Sequence, residues 1–295
     1  GIDRGEFVVA GMLQTLSASR MGGVAVRAAL AAAFLLVPVT LMGTTLPLLS
    51  KTIGRSDATR GMRIGLLYVI NTAGAVTGCV FAGLYGIETL GYTTTTFVAA
   101  AGNAGIGLLA FAAGTMLPYT KTESAAAAPA HHAASTSLTL VPIAFAISGF
   151  CTLALEVLWT RLLTLVFMGT TYAYTAMLGS ILVGIALGSL LAAALADRTK
   201  SPAFALGIVE CAAGIACAAT LIFIDRLPQT VQYFHQRFSL DFDGQMAVLF
   251  ASAFTVLLVP TILIGMTFPF AVRAVAGSHA RLGNDVGILY GLNTF

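Results

Sequence analysis

The chain has 295 residues; 58% of them are hydrophobic, only 9% are charged, and the mean hydropathy is +0.91. An ordinary soluble domain carries about 25% charged residues, so this composition excludes a soluble globular protein. The formal net charge of +3 is small and spread over several loops, which argues against nucleic acid as a partner.

Seven stretches are long and apolar enough to span a membrane, because a spanning helix needs about 20 mainly apolar residues. In chain order they are residues 24–49, 64–86, 92–116, 140–168, 172–195, 202–224 and 246–270. An eighth begins near Val286. The sequence therefore predicts an all-α fold, a polytopic membrane helix bundle surrounded by the lipid bilayer.

Residues 35–72 are repeated, without a gap, 222 positions later. The run LLVPVTLMGTTLPLLSK at Leu35 returns as LLVPTILIGMTFPFAVR at Leu257, and sixteen of the 38 positions are identical. Six predicted spans separate the starts of the two copies. Because six is even, both copies must cross the membrane in the same direction. This arrangement is the parallel repeat of major-facilitator-like transporter halves.

A linker is predicted between the two halves. The run TESAAAAPAHHAASTS, from Thr122 to Ser137, is small, polar and broken by proline, and it can neither span a membrane nor pack a core. We therefore assign residues 1–121 to the C-terminal part of a first repeat with three spans and residues 122–138 to a cytoplasmic linker. Residues 139–295 form a second repeat, with four spans and the start of a fifth.

Both ends of the chain are expected to be truncated. The first repeat lacks counterparts of the spans 140–168, 172–195 and 202–224. The opening run GIDRGEFVVA also lacks the basic start and apolar core of a signal peptide. We therefore expect the chain to be part of a longer protein.

Lysine and arginine favour the cytoplasmic side of a membrane protein and so predict its orientation. One side has only Arg4, Arg20, Arg226 and Arg237. The other side has nine basic residues: Lys51, Arg55, Arg60, Arg63, Lys121, Arg198, Lys200, Arg273 and Arg281. We expect a multi-pass protein of the inner (plasma) membrane in which loops 50–63, 117–139, 196–201 and 271–285 are cytoplasmic.

Four residues inside predicted spans are candidate substrate-binding residues: Glu156, Trp159, Arg161 and Glu210. A charge within the bilayer costs about 2.5–3.5 kcal/mol on insertion scales, so it usually faces a cavity or a partner. In one interpretation Glu156 or Glu210 neutralises Arg161 as a structural pair. In the other, a carboxylate binds a cationic substrate or carries a proton. Glu156 and Arg161 lie about 140° apart on a helix, so we expect them not to pair with each other.

Two matching pairs of polar residues occur in the repeat. Asn71 corresponds to Asn293, and Tyr68 and Tyr290 precede them by three positions on the same helix face. A buried amide in lipid needs a hydrogen-bond partner, which favours a role in joining helices. Substrate contact is the alternative, so all four are included among the candidate substrate-binding residues.

Small residues and cysteines predict packing and no cofactor. The four cysteines lie within spans, and no two of them form a C-x-x-C motif. The four histidines lie in loops. The sequence therefore indicates no metal site, haem or other cofactor. Glycines at four-residue spacing predict close helix contacts. These pairs are Gly61/Gly65, Gly74/Gly78 and Gly184/Gly188.

Several runs resemble the membrane portion of the fused major facilitator/spermidine synthase-like proteins of bacteria. They are SGFCTLALEVLWTRLL from Ser148, GIALGSLLAAALADR from Gly184, LMGTTLPLLSK from Leu41 and LYVINTAGAVTG from Leu67. The resemblance covers nearly the whole chain and implies a transporter-like bundle of the bacterial inner membrane. In that family a soluble aminopropyltransferase-like domain usually follows. These residues contain no GGGDG-like string for its substrate, so they supply no catalytic site of that kind.

The turn Leu195-Ala196-Asp197-Arg198 resembles the cytoplasmic loop motif of each major facilitator half. The resemblance implies a gating role for Asp197 and Arg198. In this chain Thr199 replaces the glycine that follows the arginine in that motif.

Two classes of function are compatible with the sequence. The first is a membrane module that binds or transports a small cationic solute, such as a polyamine, through a cavity between the two halves lined by Glu156, Arg161, Glu210, Asn71 and Asn293. The alternative is a structural subunit that does not transport, either a scaffold among other membrane protein subunits or an anchor for a spermidine synthase-like domain.

Overall fold

Helices account for nearly all of the backbone that the structure describes. The structure is a computed structural model that describes residues 20–53, 60–116, 135–167, 170–196, 198–238, 241–275 and 282–294, and no strand occurs in these ranges. In chain order the elements are α1 (Arg20–Ile53), α2 (Arg60–Val80), a π-helical segment (Phe81–Gly86), α3 (Ile87–Met116), α4 (Ser135–Val166), α5 (Thr171–Ala196), α6 (Pro202–Phe238), α7 (Phe242–Val275) and α8 (Leu282–Thr294).

Six helical stretches are long and apolar enough to cross a membrane, which indicates a multi-pass membrane protein. They are Met21–Leu49, Gly65–Met116, Leu140–Val166, Thr171–Leu195, Pro202–Phe238 and Phe242–Val275. The predicted all-α class and the predicted membrane helices are confirmed for the described residues. Helix α8, where an eighth span was expected to begin, has 13 described residues, which is shorter than a span.

The stretch Gly65–Met116 contains two of the predicted spans, 64–86 and 92–116. As one straight helix its 52 residues would measure about 78 Å, more than twice the ~30 Å of the hydrocarbon core. Gly91 interrupts it with φ 78° and ψ 167°, a backbone conformation that is essentially restricted to glycine. The chain bends so sharply there that a Cβ on Gly86 would touch the side chain of Thr95.

The chain divides into two units, Gly1–Leu48 and Leu49–Phe295. The described part of the first unit is residues 20–48 of α1, an apolar helix that contains Pro38 and Pro47. Large apolar side chains such as Phe34 and Met42 are exposed on it. The second unit contains α2 to α8 and the candidate site.

The core of the second unit is the contact between α5 and α7. Glycines allow the two backbones to approach closely, as expected where small residues recur every four positions. A Cβ on Gly188 would collide with the backbone of Ile262, and one on Gly265 would collide with that of Ile185. The Ser189 hydroxyl donates a hydrogen bond of 2.8 Å to the carbonyl oxygen of Gly265. Helix α2 packs on α5 in the same way, because a Cβ on Gly65 would overlap Ala193.

Both copies of the sequence repeat are helical where the structure describes them. Helices α1 (Arg20–Ile53) and α7 (Phe242–Val275) contain the first part of each copy. Helices α2 and α8 contain the second part.

Two other helix bounds differ from the sequence prediction. Helix α6 continues past the predicted span 202–224 to Phe238, and this extension carries the exposed residues Asp225 and Arg226. Helix α4 begins at Ser135, within the predicted linker 122–138, whose residues 122–134 lie outside the described ranges. Polar residues thus continue a helix beyond the apolar segment that predicted it.

Candidate functional site

A cavity of about 360 Å³ lies between α4, α6 and α7. Helices α4 and α6 line it with residues that recur every three or four positions, because such residues share one helix face. Helix α7 contributes one residue. The lining consists of Ala144, Ile147, Ser148, Cys151, Thr152, Leu155, Glu210, Ala213, Gly214, Cys217 and Ile264.

Glu210 is the charged residue of this lining. Its Oε1 atom is buried and has no hydrogen-bond partner within the part of the chain that the structure describes. Ser148, on the facing helix α4, lines the same cavity. A buried polar atom without a partner costs free energy, so an occupant that donates a hydrogen bond to Oε1 would be stabilised here.

Glu156 and Arg161 do not line this cavity. Glu156 is half-buried on α4, whereas Arg161 is exposed, in keeping with their separation around the helix. Leu155, next to Glu156 in sequence, does line the cavity. The rotation of α4 therefore directs an apolar neighbour into the cavity in place of the carboxyl group.

Trp159, on α4, forms a hydrogen bond to α6 beside the residues that line the cavity. Its side chain is 1% exposed, and its Nε1–H donates a hydrogen bond of 3.2 Å to Oγ1 of Thr220. The Thr220 hydroxyl in turn donates to the carbonyl oxygen of Cys217, one of the lining residues. Trp159 thus holds a wall of the cavity and does not line it.

The two repeat-related asparagines have different surroundings. The side chain of Asn293, on α8, donates a hydrogen bond of 3.0 Å to the carbonyl oxygen of Phe145 on α4. The two backbones are close there, because a Cβ on Gly149 would collide with Asn293. Asn71 is exposed on α2. In the described chain, Asn293 joins two helices, and neither asparagine lines the cavity.

The two repeat-related tyrosines meet at one phenylalanine. The ring of Phe268, on α7, lies 4.9 Å from that of Tyr68 and 6.3 Å from that of Tyr290, measured between ring centroids. Phe145 completes the cluster at 6.2 Å from Phe268. Such distances are typical of packed aromatic pairs. The cluster connects α2, α4, α7 and α8.

Sequence reasoning missed several of these residues. Ser148, Thr152 and Ile264 line the cavity, but single hydroxyl and apolar side chains in a span carry no chemical signal of a site. Phe268 matches Leu46 in the repeat, so comparison of the two copies also gave no indication of its central position.

Of the two predicted gating residues, the structure describes Arg198. Arg198 is exposed in the connection between α5 and α6, and Asp197 lies outside the described residues. No group of three or more histidine, cysteine, aspartate or glutamate side chains suited to a metal ion occurs among the residues that the structure describes.

Comparisons of the chain with protein-family models, curated proteins and solved structures gave no match. The resemblance to the fused major facilitator/spermidine synthase-like proteins is therefore still a prediction from the sequence. The geometry of the cavity is the basis for the function proposed below.

Proposed function

We propose that this chain is a membrane protein that binds a small organic cation at Glu210, in the cavity between α4, α6 and α7. Two observations support this: Glu210 lines a cavity of about 360 Å³, and its buried Oε1 atom lacks a hydrogen-bond partner in the described chain. That volume is within the range of ~300–1,000 Å³ typical of ligand sites. An ammonium group would supply both the missing donor and the opposite charge.

The repeat supports a transporter-like architecture for this module. The sequence identity between residues 35–72 and 257–294 is expected of two halves that share one fold. In this proposal the chain belongs to the membrane portion of the fused major facilitator/spermidine synthase-like proteins. Its basic loops are cytoplasmic, and the cation site lies between helices of the second repeat.

A second candidate function, that of a scaffold or enzyme anchor, is favoured by a separate observation. Helix α3 has no buried residue within Ile87–Met116. Such a surface contacts either lipid or another membrane subunit. A scaffold would retain its function when the charge of Glu210 is removed, which distinguishes it from the first proposal.

Substitution of Glu210 tests the first proposal. We expect Glu210→Gln, in lipid nanodiscs, to bind organic ammonium ions at least about tenfold more weakly than the wild type, because tenfold corresponds to about 1.4 kcal/mol and a charge-assisted hydrogen bond contributes about 1.5–3 kcal/mol. The probes are phenylethylammonium and spermidine, measured by equilibrium binding of the radiolabelled compounds.

Glu88→Gln is the matched control, because Glu88 is an exposed carboxyl group on α3, outside the cavity lining. Circular dichroism and size-exclusion chromatography establish that each variant is folded. Undiminished binding of both probes by Glu210→Gln contradicts the proposal. Loss of binding only in Glu156→Gln would contradict it as well, because the site would then lie at the other carboxyl group.

A further inference from the structure

We infer that the cavity between α4, α6 and α7 takes a cation with one positive charge and a compact apolar body, rather than a polyamine. This inference rests on the proposed function, because it specifies the ligand class of the same site. It follows from the charge of the lining, its apolar walls and its position at the surface of α4.

The lining matches one ammonium group. Glu210 is its one carboxyl group, and the hydroxyl groups of Ser148 and Thr152 are acceptors for further N–H donors. An ammonium group has three donors, so this set can satisfy a single ammonium ion. Spermidine carries three positive charges, and the other two would lie against apolar side chains without a counter-charge. A buried charge without a partner is strongly unfavourable.

The remaining walls match an apolar body. Apart from Glu210, Ser148 and Thr152, the lining is mainly apolar. Its apolar residues include Ala144, Leu155, Ala213 and Ile264. They offer contacts to a ring or a short hydrocarbon chain and no acceptor side chain. The cavity volume of about 360 Å³ lies at the small end of ligand sites, which restricts the ligand to a compact body.

The cavity also reaches the outer surface of the bundle. Ile147 is 59% exposed and Cys151 is exposed, although both belong to the lining. These residues lie within the apolar stretch Leu140–Val166, so their exposed faces contact hydrocarbon in a bilayer. A monovalent cation with an apolar body partitions into the membrane and can enter from this side. A polyamine stays in water.

Gly214 provides a way to fill the cavity without disturbing the helix. It belongs to the lining, and a Cβ built on it meets no atom within 4 Å. Side chains on a helix lean towards its N-terminus, so a leucine at this position extends over Glu210, one turn earlier. Gly207 lies seven residues earlier on α6, is equally open, and is not part of this lining.

Equilibrium binding to the intact chain in nanodiscs tests the inference, after subtraction of binding to empty nanodiscs. The wild type is expected to bind phenylethylammonium at least tenfold more tightly than spermidine. Gly214→Leu should weaken phenylethylammonium binding at least tenfold, whereas Gly207→Leu, the same change on the same helix, should leave it unchanged.

Each outcome decides between the two claims. Binding of spermidine that is equal or tighter, and that is lost in Glu210→Gln, overturns the inference about ligand class while the proposed cation site at Glu210 stands. Absence of Glu210-dependent binding for both probes overturns both claims. Equal loss in Gly207→Leu and Gly214→Leu overturns the assignment of the ligand body to this cavity. The comparison of the two probes uses only the wild type, so it does not depend on the folding of any variant.

Discussion

Asn71 and Asn293 occupy equivalent positions in the two copies of the repeat, but their surroundings differ. Asn293 donates a hydrogen bond to the carbonyl oxygen of Phe145, whereas Asn71 is exposed on α2. Interhelical hydrogen bonds in membranes contribute about 0.6 kcal/mol on average and up to about 1.7 kcal/mol. Substituting each asparagine in turn therefore shows how the same residue type affects stability in two different environments.

We expect Asn293→Ala to lower the free energy of unfolding by about 0.6–1.7 kcal/mol, because the hydrogen bond to Phe145 is lost. Asn71→Ala, the control, should not lower it, because Asn71 is exposed within the apolar stretch Gly65–Met116, where alanine is the less costly residue. The measurement is reversible unfolding by sodium dodecyl sulfate from mild detergent. Equal destabilisation by both substitutions would show that the Asn293 contact is not the source.

The residues of the candidate site could be predicted only in part from the sequence. The sequence identified Glu156 and Glu210 as intramembrane carboxyl groups, because acidic residues are rare and costly in apolar spans. It could not decide which of them lines a cavity, since that depends on the rotation of α4 and α6 about their axes. Both helices are apolar on most faces, so periodicity does not fix this rotation.

At the scale of helices, close packing depends on where glycines meet a neighbour. Gly184 and Gly188 of α5 lie against Thr261 and Ile262 of α7, with no space for a Cβ. Gly74 has the same four-residue spacing to its partner Gly78, yet a Cβ on Gly74 would meet no atom within 4 Å. The spacing alone therefore does not identify an interface.

Alanine substitution separates the two kinds of glycine. Gly188→Ala should destabilise the protein by about 1–3 kcal/mol, because overpacking forces the α5 and α7 backbones apart. Gly74→Ala, the control on α2, should be neutral or stabilising by up to about 1 kcal/mol, because alanine favours the helix. The same detergent unfolding assay applies. A neutral Gly188→Ala would contradict the close contact of the two backbones.

Hydropathy predicted the helices better than it predicted their ends. The spans 140–168, 172–195 and 246–270 correspond closely to Leu140–Val166, Thr171–Leu195 and the apolar part of α7. The extension of α6 to Phe238 was missed because polar residues such as Asp225 lower the hydropathy of a segment without ending its helix. The predicted break between the spans 64–86 and 92–116 contains Gly91, where the backbone bends.

At the scale of the whole molecule, the basic residues predict how the protein is oriented in the membrane. Helix α6 runs from Pro202 to Phe238, so the exposed residues Lys200 and Asp241 flank its opposite ends. At about 1.5 Å per residue, its 37 residues measure about 55 Å, more than the ~40–45 Å of a bilayer with its headgroups. If this helix crosses the bilayer, its two flanking residues lie on opposite sides.

Cysteine labelling of these two positions tests the predicted orientation. In intact cells, an impermeant maleimide-polyethylene glycol reagent should label Asp241→Cys and leave Lys200→Cys unlabelled, because the loop 196–201 is predicted to be cytoplasmic. Both should react after the cells are opened. The native chain is the control, since its four cysteines lie within apolar helices. The reverse labelling pattern would invert the topology.

The position of Trp159 has a practical consequence for spectroscopy. It is the sole tryptophan of the chain, it is buried, and its hydrogen-bond partner Thr220 is bonded to the carbonyl oxygen of Cys217, a lining residue of the cavity. The tryptophan fluorescence of the protein therefore comes from one indole ring beside the cavity. Its emission maximum reports the polarity of that region without any attached dye.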